Sequence, residues 1–212
     1  MTRFVILAAV SAACSVALFA EPRSVGVYMS FEGKAGAISV DAMKREAARI
    51  MQPTGVALDW RLLEENRGEE SFSNLIVLRF RGKCQADAWA SSDPEGVDTP
   101  ATLGWTNVAE GRVLPFGEVE CDQVRKSLSY VGAEANYQQK QFALGRALGR
   151  VVAHELYHML AQTTQHASRG LAKASQTWKD LVSGAVQLQD RDARIIRERM
   201  GGSRAVFSFQ AK

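Results

Sequence analysis

The sequence predicts an α+β protein, because strand-like and helical segments occupy different parts of the chain. Before about residue 136, several short segments are rich in β-branched and aromatic residues. In these segments apolar and polar residues alternate, or most residues are apolar, which is typical of strands. Beyond that point the apolar residues recur mainly at helical spacing. Strands followed by helices favour a sheet whose helices are gathered toward the C-terminal part.

The first half is predicted to hold one amphipathic helix among several strands. The predicted strands are Ser24 to Phe31, Val56 to Leu62, Asn74 to Arg81, Trp105 to Val108 and Arg112 to Val119. The helix is Val40 to Met51, ended by Pro53 with Gly55. A loop is expected from Gly82 to Gly104, a hairpin turn at Glu110-Gly111, and a short helix from Asp122 to Ser129.

The second half is predicted to be built around a helix from Gln138 to Ala161. Its two glycines, Gly145 and Gly149, permit a neighbouring element to pack closely, or mark the true start of the helix. A weaker helix is predicted from Gln176 to Leu188 and a stronger one from Asp190 to Met200. Residues 205–209 are expected to form a closing strand or a frayed tail.

Residues 1–20 predict a secretory signal peptide. Arg3 gives a short basic start, Phe4 to Ala20 is apolar apart from two serines, and Ala20 offers a small residue for cleavage. A single membrane anchor is the alternative, although the apolar run is at the short edge for a span. Residues 21–212 are then predicted to form one domain, secreted or periplasmic in a bacterium, with no stable membrane association after cleavage.

Two cysteines follow this leader, Cys84 and Cys121. An even number of cysteines in an exported chain favours a disulfide, and two unpaired thiols are the alternative. Neither cysteine lies in a C-x-x-C pair, so zinc binding through sulfur is not expected.

The charge pattern predicts no nucleic-acid partner. The net charge is +3, and the basic residues are dispersed along the chain. The mild arginine cluster near the end is interleaved with acidic residues, which is typical of a solvated helix face.

The strongest candidate site is the pentapeptide His154-Glu155-Leu156-Tyr157-His158, which has the pattern H-E-x-x-H. Because residues i and i+4 share one face of a helix, the two imidazoles converge on one point. Zinc suits imidazole nitrogens, lowers the pKa of a water and polarises a carbonyl. Glu155 then accepts the proton of that water as general base. Tyr157 is predicted to be a packing residue rather than a catalytic one.

A hydrolytic zinc site needs a third protein ligand. His166 is the first candidate, because it lies just past the predicted helix end and the chain can turn back there. The alternatives are Glu198 and, after it, Asp180.

These residues resemble the zincin metallopeptidases, and among them the metzincins, whose pattern is H-E-x-x-H-x-x-G-x-x-H. This chain has Ala161 where that pattern has glycine and Thr164 where it has the third histidine, and His166 comes two residues later. The segment from His166 to Ala172 also resembles a bacterial exported group with H-E-L-x-H, a later H and then G-I-M. Ala172 stands where that group has methionine.

The resemblance implies a zincin-like fold, in which a mixed sheet packs on the active-site helix and the C-terminal part is helical. It implies a Zn²⁺-dependent endopeptidase that acts on peptides or proteins, with His154, His158 and His166 as ligands and Glu155 as base. It also implies a substrate laid along an edge strand, for which Arg112 to Val119 is the candidate. The alternative is a zinc-binding or interaction module on the same scaffold, without turnover.

Overall fold

The structure of the chain, a computed structural model, describes residues 23–68, 70–86, 102–128, 135–182, 184, 186–202 and 207–208. The predicted signal peptide and most of the predicted loop after Gly82 lie outside these residues. Within the described ranges, no helix has both the length and the apolar character that crossing a membrane requires.

The elements confirm the α+β prediction and most of the predicted boundaries. The strands are β1 (Arg23–Phe31), β2 (Val56–Leu62), β3 (Ser71–Phe72), β4 (Asn74–Arg81), β5 (Gly104–Ala109), β6 (Arg112–Glu120) and β7 (Phe207–Ser208). The helices are α1 (Ala37–Met51), α2 (Cys121–Ser127), α3 (Tyr137–Ala161), α4 (Trp178–Val182) and α5 (Asp190–Gly202).

Two predictions near the C-terminus need revision. The helix predicted for Gln176 to Leu188 is only the short α4, because Gly184 follows it with a φ of 63°, a left-handed conformation that ends helices. The closing strand expected in residues 205–209 is the two-residue β7, which pairs antiparallel with β3 and not with the main sheet.

Within the described residues the main sheet has five strands in the order β2-β1-β4-β6-β5, and it is mixed, as expected for the zincin-like arrangement. The first three pairings in this order are parallel, and the β5–β6 hairpin is antiparallel. Its turn is Glu110-Gly111, where both residues have positive φ, as the tightest hairpin turns require.

The prediction that Arg112 to Val119 is an edge strand is wrong. This segment forms most of β6, which is paired on one side with β4 and on the other with β5. Among the described strands, the edge next to α3 belongs to β5 instead, because β6 takes the place beside β4 and leaves its hairpin partner outermost.

Helices α1 and α3 pack tightly against each other on one face of this sheet. The predicted close approach at the glycines is confirmed. A Cβ atom on Gly149 would lie 2.7 Å from the Met43 carbonyl oxygen of α1, and one on Gly145 would collide with the Ser39 carbonyl. The glycines therefore let the backbones of the two helices come together.

A disulfide joins Cys84, just after β4, to Cys121 at the start of α2. Both residues are fully buried, and their Cα atoms lie 5.0 Å apart. The bridge closes a loop with a sequence separation of 37 residues. It confirms the pairing expected from the even cysteine count.

A buried guanidinium attaches the C-terminal part to the helix pair. Arg150 of α3 is fully buried, and its Nε donates to Glu46 of α1 at 2.9 Å. Its terminal nitrogens donate to the backbone carbonyls of Asp180 at 2.6 Å and Gly184 at 2.7 Å. Glu46 also accepts two hydrogen bonds from Arg49. One side chain thus links α1 and α3 to α4 and to Gly184 just after it.

The pKa of Glu46 reflects this pairing. Burial raises it, but hydrogen bonds from Arg49 and Arg150 outweigh the burial, so the pKa is lowered from its ordinary value of 4.5. A carboxyl with a lowered folded pKa stabilises the fold fully above its ordinary pKa. That contribution is lost as the pH falls from about 4.5 through the lowered value.

We predict that replacing both Cys84 and Cys121 with serine lowers the free energy of unfolding by about 3 to 4 kcal/mol, since the unfolded chain loses its cross-link. Urea unfolding of the variant and the oxidised parent measures the difference. Reduction of the parent is the control, and it should give the same loss. Equal stability of all three forms would contradict a disulfide that constrains the unfolded chain.

Arg150→Met should lower the free energy of unfolding by about 3 kcal/mol, because it removes one partner of a buried ion pair and the guanidinium donors to the Asp180 and Gly184 carbonyls. Arg49→Met is the matched control. Arg49 bonds the same carboxylate from the surface, so its loss should cost less than about 1 kcal/mol. Both values come from urea unfolding at pH 7, and equal losses would argue against the central role of Arg150.

Candidate metal centre

Helix α3 presents the H-E-x-x-H residues in its last turns. Its N-cap is Asn136, and the side chains of Asn136 and Gln139 bond each other's backbone N–H groups in a capping box. It ends after Ala161, where Gln162 takes a left-handed φ of 49°. The amide of Thr163 then donates to the His158 carbonyl at 3.1 Å. The helix end at Ala161 is as predicted, and the chain turns back after it toward the two histidines.

The imidazoles of His154 and His158 face each other across one helical turn, with their Nε2 atoms 3.0 Å apart. The Nδ1 of His154 lies 2.9 Å from the Leu171 carbonyl, and the Nδ1 of His158 lies 2.7 Å from the Thr163 carbonyl. A carbonyl only accepts, so each Nδ1 carries the hydrogen and each neutral ring turns the lone pair of its Nε2 toward the other. Two facing lone pairs are the donor arrangement that a shared cation satisfies.

Burial favours the neutral form of both rings. It lowers the pKa of His154 to about 4, and it also lowers the pKa of His158. The hydrogen bonds to the two carbonyls act in the opposite direction but are the smaller effect. Neutral imidazole is the form that binds a metal ion.

His166 joins the two helical histidines from the returning chain. Its ring stacks on His154 with centroids 5.3 Å apart and meets His158 edge-on at 4.8 Å. One ligand atom from each of the three residues lies within 4.8 Å of the others. Across the described ranges, this is the one cluster of three or more histidine, cysteine or acidic side chains with metal-binding spacing.

The alternative third ligands lie elsewhere. The carboxylate of Asp180 accepts from Lys173 and from the Thr177 amide at 2.7 Å, so it caps α4. Burial raises its pKa, but the bonds from Lys173 and Thr177 outweigh this and lower it. Glu198 is exposed on α5 and is outside the cluster.

Glu155 lies beside the cluster and points to the sheet. It is 3% exposed, and its Oε2 accepts a hydrogen bond of 2.7 Å from the Thr106 hydroxyl of β5. Burial raises the pKa of Glu155 to about 7, and the bond from Thr106 only partly offsets this. A carboxyl with such a pKa accepts and releases a proton near neutral pH.

Gly104 allows β5 to come this close to α3. A Cβ atom there would lie 2.9 Å from Val151 and 3.1 Å from the Glu155 carboxylate, so a larger residue would push the strand away. Gly104 and Thr106 are two residues apart and therefore share one face of the strand. Sequence reasoning found neither, because no local feature says which strand lies against the helix.

The loop from Ala167 to Ala172 lies beside the histidine cluster. Leu171 and Ala172 are buried, and the Ala172 carbonyl accepts from the Ala167 amide at 2.7 Å. Ala172, in the position of the methionine in the similar exported group, thus closes the loop through its backbone. Tyr157 is also buried, and its hydroxyl donates to the Gln165 carbonyl at 3.4 Å, a contact consistent with the predicted packing role.

No protein-family model matches the sequence, and no curated protein matches it. Among solved structures, the chain is similar to the crystal structure of archaemetzincin from Methanopyrus kandleri. The two are 10% identical, the match covers 84% of this chain and 95% of that one, and the TM-score is 0.47.

Proposed function

We propose that this chain is a zinc-dependent peptidase, and the convergence of His154, His158 and His166 beside Glu155 is the observation that supports it. The three imidazoles would hold the metal, and a set of three neutral nitrogen donors suits zinc. Zinc, when bound, supplies a water of lowered pKa and polarises the carbonyl of the scissile bond.

Glu155 is the general base in this proposal. It accepts the proton of the attacking water and passes it to the amine that leaves. Thr106 holds one of its two carboxylate oxygens in place. Burial raises the pKa of this carboxyl to about 7, which suits a group that both accepts and releases a proton.

The substrate class follows from the position of β5. Among the described residues this strand is paired on one side only, and it lies against the base through Gly104 and Thr106. We propose that an extended peptide adds to its free edge through backbone hydrogen bonds. Because an edge binds any extended stretch of chain without needing a terminus, the proposed activity is that of an endopeptidase.

We also propose that the chain is exported, to the periplasm or beyond the cell. The N-terminal sequence supports this, and the buried disulfide is compatible with an oxidising compartment. Where the leader is cleaved, residues 21–212 would form the mature protein.

A zinc-binding module without turnover remains the second candidate. The late position of the third histidine and the presence of Ala172 in the place of methionine favour it. Glu155, buried and held beside the cluster, favours the enzyme, because a site that only stores or displays zinc has no use for a general base.

Glu155→Gln should reduce cleavage of an unstructured protein such as casein by about 10²- to 10⁴-fold, because the amide cannot accept the proton. Zinc content should stay at one ion per chain. The matched control is Glu198→Gln, an exposed site whose variant should cleave normally. If Glu155→Gln cleaves as fast as the parent, the proposed mechanism is wrong. If the zinc-loaded parent cleaves no peptide at all, the zinc-binding module without turnover is favoured.

His166→Ala should weaken zinc binding more than about 100-fold, because it removes a ligand and not merely its support. Competition with a chromophoric chelator measures the affinity. Thr164→Ala is the control, because this exposed threonine stands where the metzincin pattern has its histidine. An unchanged affinity in His166→Ala, or an equal loss in both variants, would count against His166 as the third ligand.

A further inference from the structure

The carbonyl of Leu171 receives two side-chain hydrogen bonds. One comes from the Nδ1 of His154 at 2.9 Å and the other from the Nε2 of Gln176 at 2.8 Å. A carbonyl oxygen has two lone pairs, so it accepts both at once. On the other side of the same residue, the Leu171 amide donates to the Gln187 carbonyl at 3.3 Å. Hydrogen bonds therefore hold Leu171 through its carbonyl and through its amide, in the two peptide groups that flank its Cα.

The oxygen end of the Gln176 amide is in a different position. Its Oε1 is buried and meets no hydrogen-bond donor within the part of the chain that the structure describes. Burying an acceptor in this way costs free energy, and an apolar side chain of similar shape would avoid the cost. Turning the amide over would instead set Oε1 against the Leu171 oxygen, two acceptors in contact. The orientation is thus fixed by the donation to Leu171.

The backbone beside Gln176 is fixed as well. Thr177, the next residue, caps α4, since its Oγ1 accepts from the Asp180 amide at 3.3 Å. Arg150 then holds the Asp180 carbonyl at 2.6 Å. Arg150 and His154 are one turn apart on α3. Arg150 is therefore connected to His154 not only through α3 but also by contacts outside it. These contacts run from Arg150 to Asp180, from there to Thr177 and the adjacent Gln176, and from Gln176 through the Leu171 carbonyl to His154.

We propose that Gln176 is a positioning residue of the metal centre. By holding the Leu171 carbonyl, it fixes which nitrogen of His154 carries the hydrogen and how the ring is turned, so that Nε2 faces the metal. Histidine ligands are generally oriented in this way by a partner on the other ring nitrogen. Here that partner is a backbone carbonyl, and Gln176 orients it. The inference rests on the proposed zinc site.

Gln176→Met tests it, because methionine keeps the length of the side chain while removing both the donor and the unpaired oxygen. Zinc affinity of the purified chain should fall roughly tenfold, the lower end of the range for residues that support a ligand. With Co²⁺ in place of zinc, the visible absorption bands should shift in position or intensity, since they report ligand geometry. The urea midpoint of the metal-free protein should be equal to that of the parent or higher.

Gln189→Met is the matched control. Its Nε2 donates to the Arg169 carbonyl at 2.8 Å, in the same loop and with similar exposure, but that carbonyl holds no histidine. This variant should bind zinc and Co²⁺ as the parent does. Gln176→Leu serves as a second variant if methionine at this position prevents folding.

The proposal is overturned if the folded Gln176 variants bind zinc with the affinity of the parent and give its cobalt spectrum. It is also overturned if Gln189→Met weakens binding equally, which would indicate general loosening of the loop. A parent chain that binds no zinc would instead defeat the proposed function, and that result is obtained before any variant is compared.

Discussion

The buried guanidinium of Arg150 is the interaction on which the rest of the structure depends. It takes its charge partner from α1 and binds two backbone carbonyls in the segment around α4. A guanidinium is suited to this task because its donors are fixed in one plane and point in several directions. Removed from water, it must be fully paired, so the elements that supply its partners are held in one arrangement.

The candidate centre is the consequence of that arrangement. Arg150 lies one turn before His154, and the segment it holds leads, through Gln176, to the Leu171 carbonyl that orients the same histidine. The opposite side is supplied by the sheet, where Thr106 meets Glu155. Metal donors, base and their supports thus come from a helix, a loop and an edge strand, each fixed by contacts outside the centre.

Much of the fold could be predicted from the chain, since its signals are local. The alternation in Val56 to Leu62, the stop at Pro53 and Gly55 after α1, and the turn at Glu110-Gly111 each fix an element from neighbouring residues. The error in placing the edge strand has a different origin. Whether β5 or β6 lies outermost depends on which of them pairs with β4, a contact between residues far apart in sequence.

The candidate site, like the fold, has a part that the sequence predicts and a part that it does not. The sequence by itself determined that His154 and His158 converge with Glu155 next to them, because the helical repeat brings residues four apart onto one face. The sequence left three candidates for the third ligand, with His166 the first of them. Only the tertiary structure brought that ring to the other two, set Thr106 against the base and joined Gln176 to His154 through a carbonyl. These contacts depend on how the chain returns after α3 and on the strand order, and no local spacing encodes either.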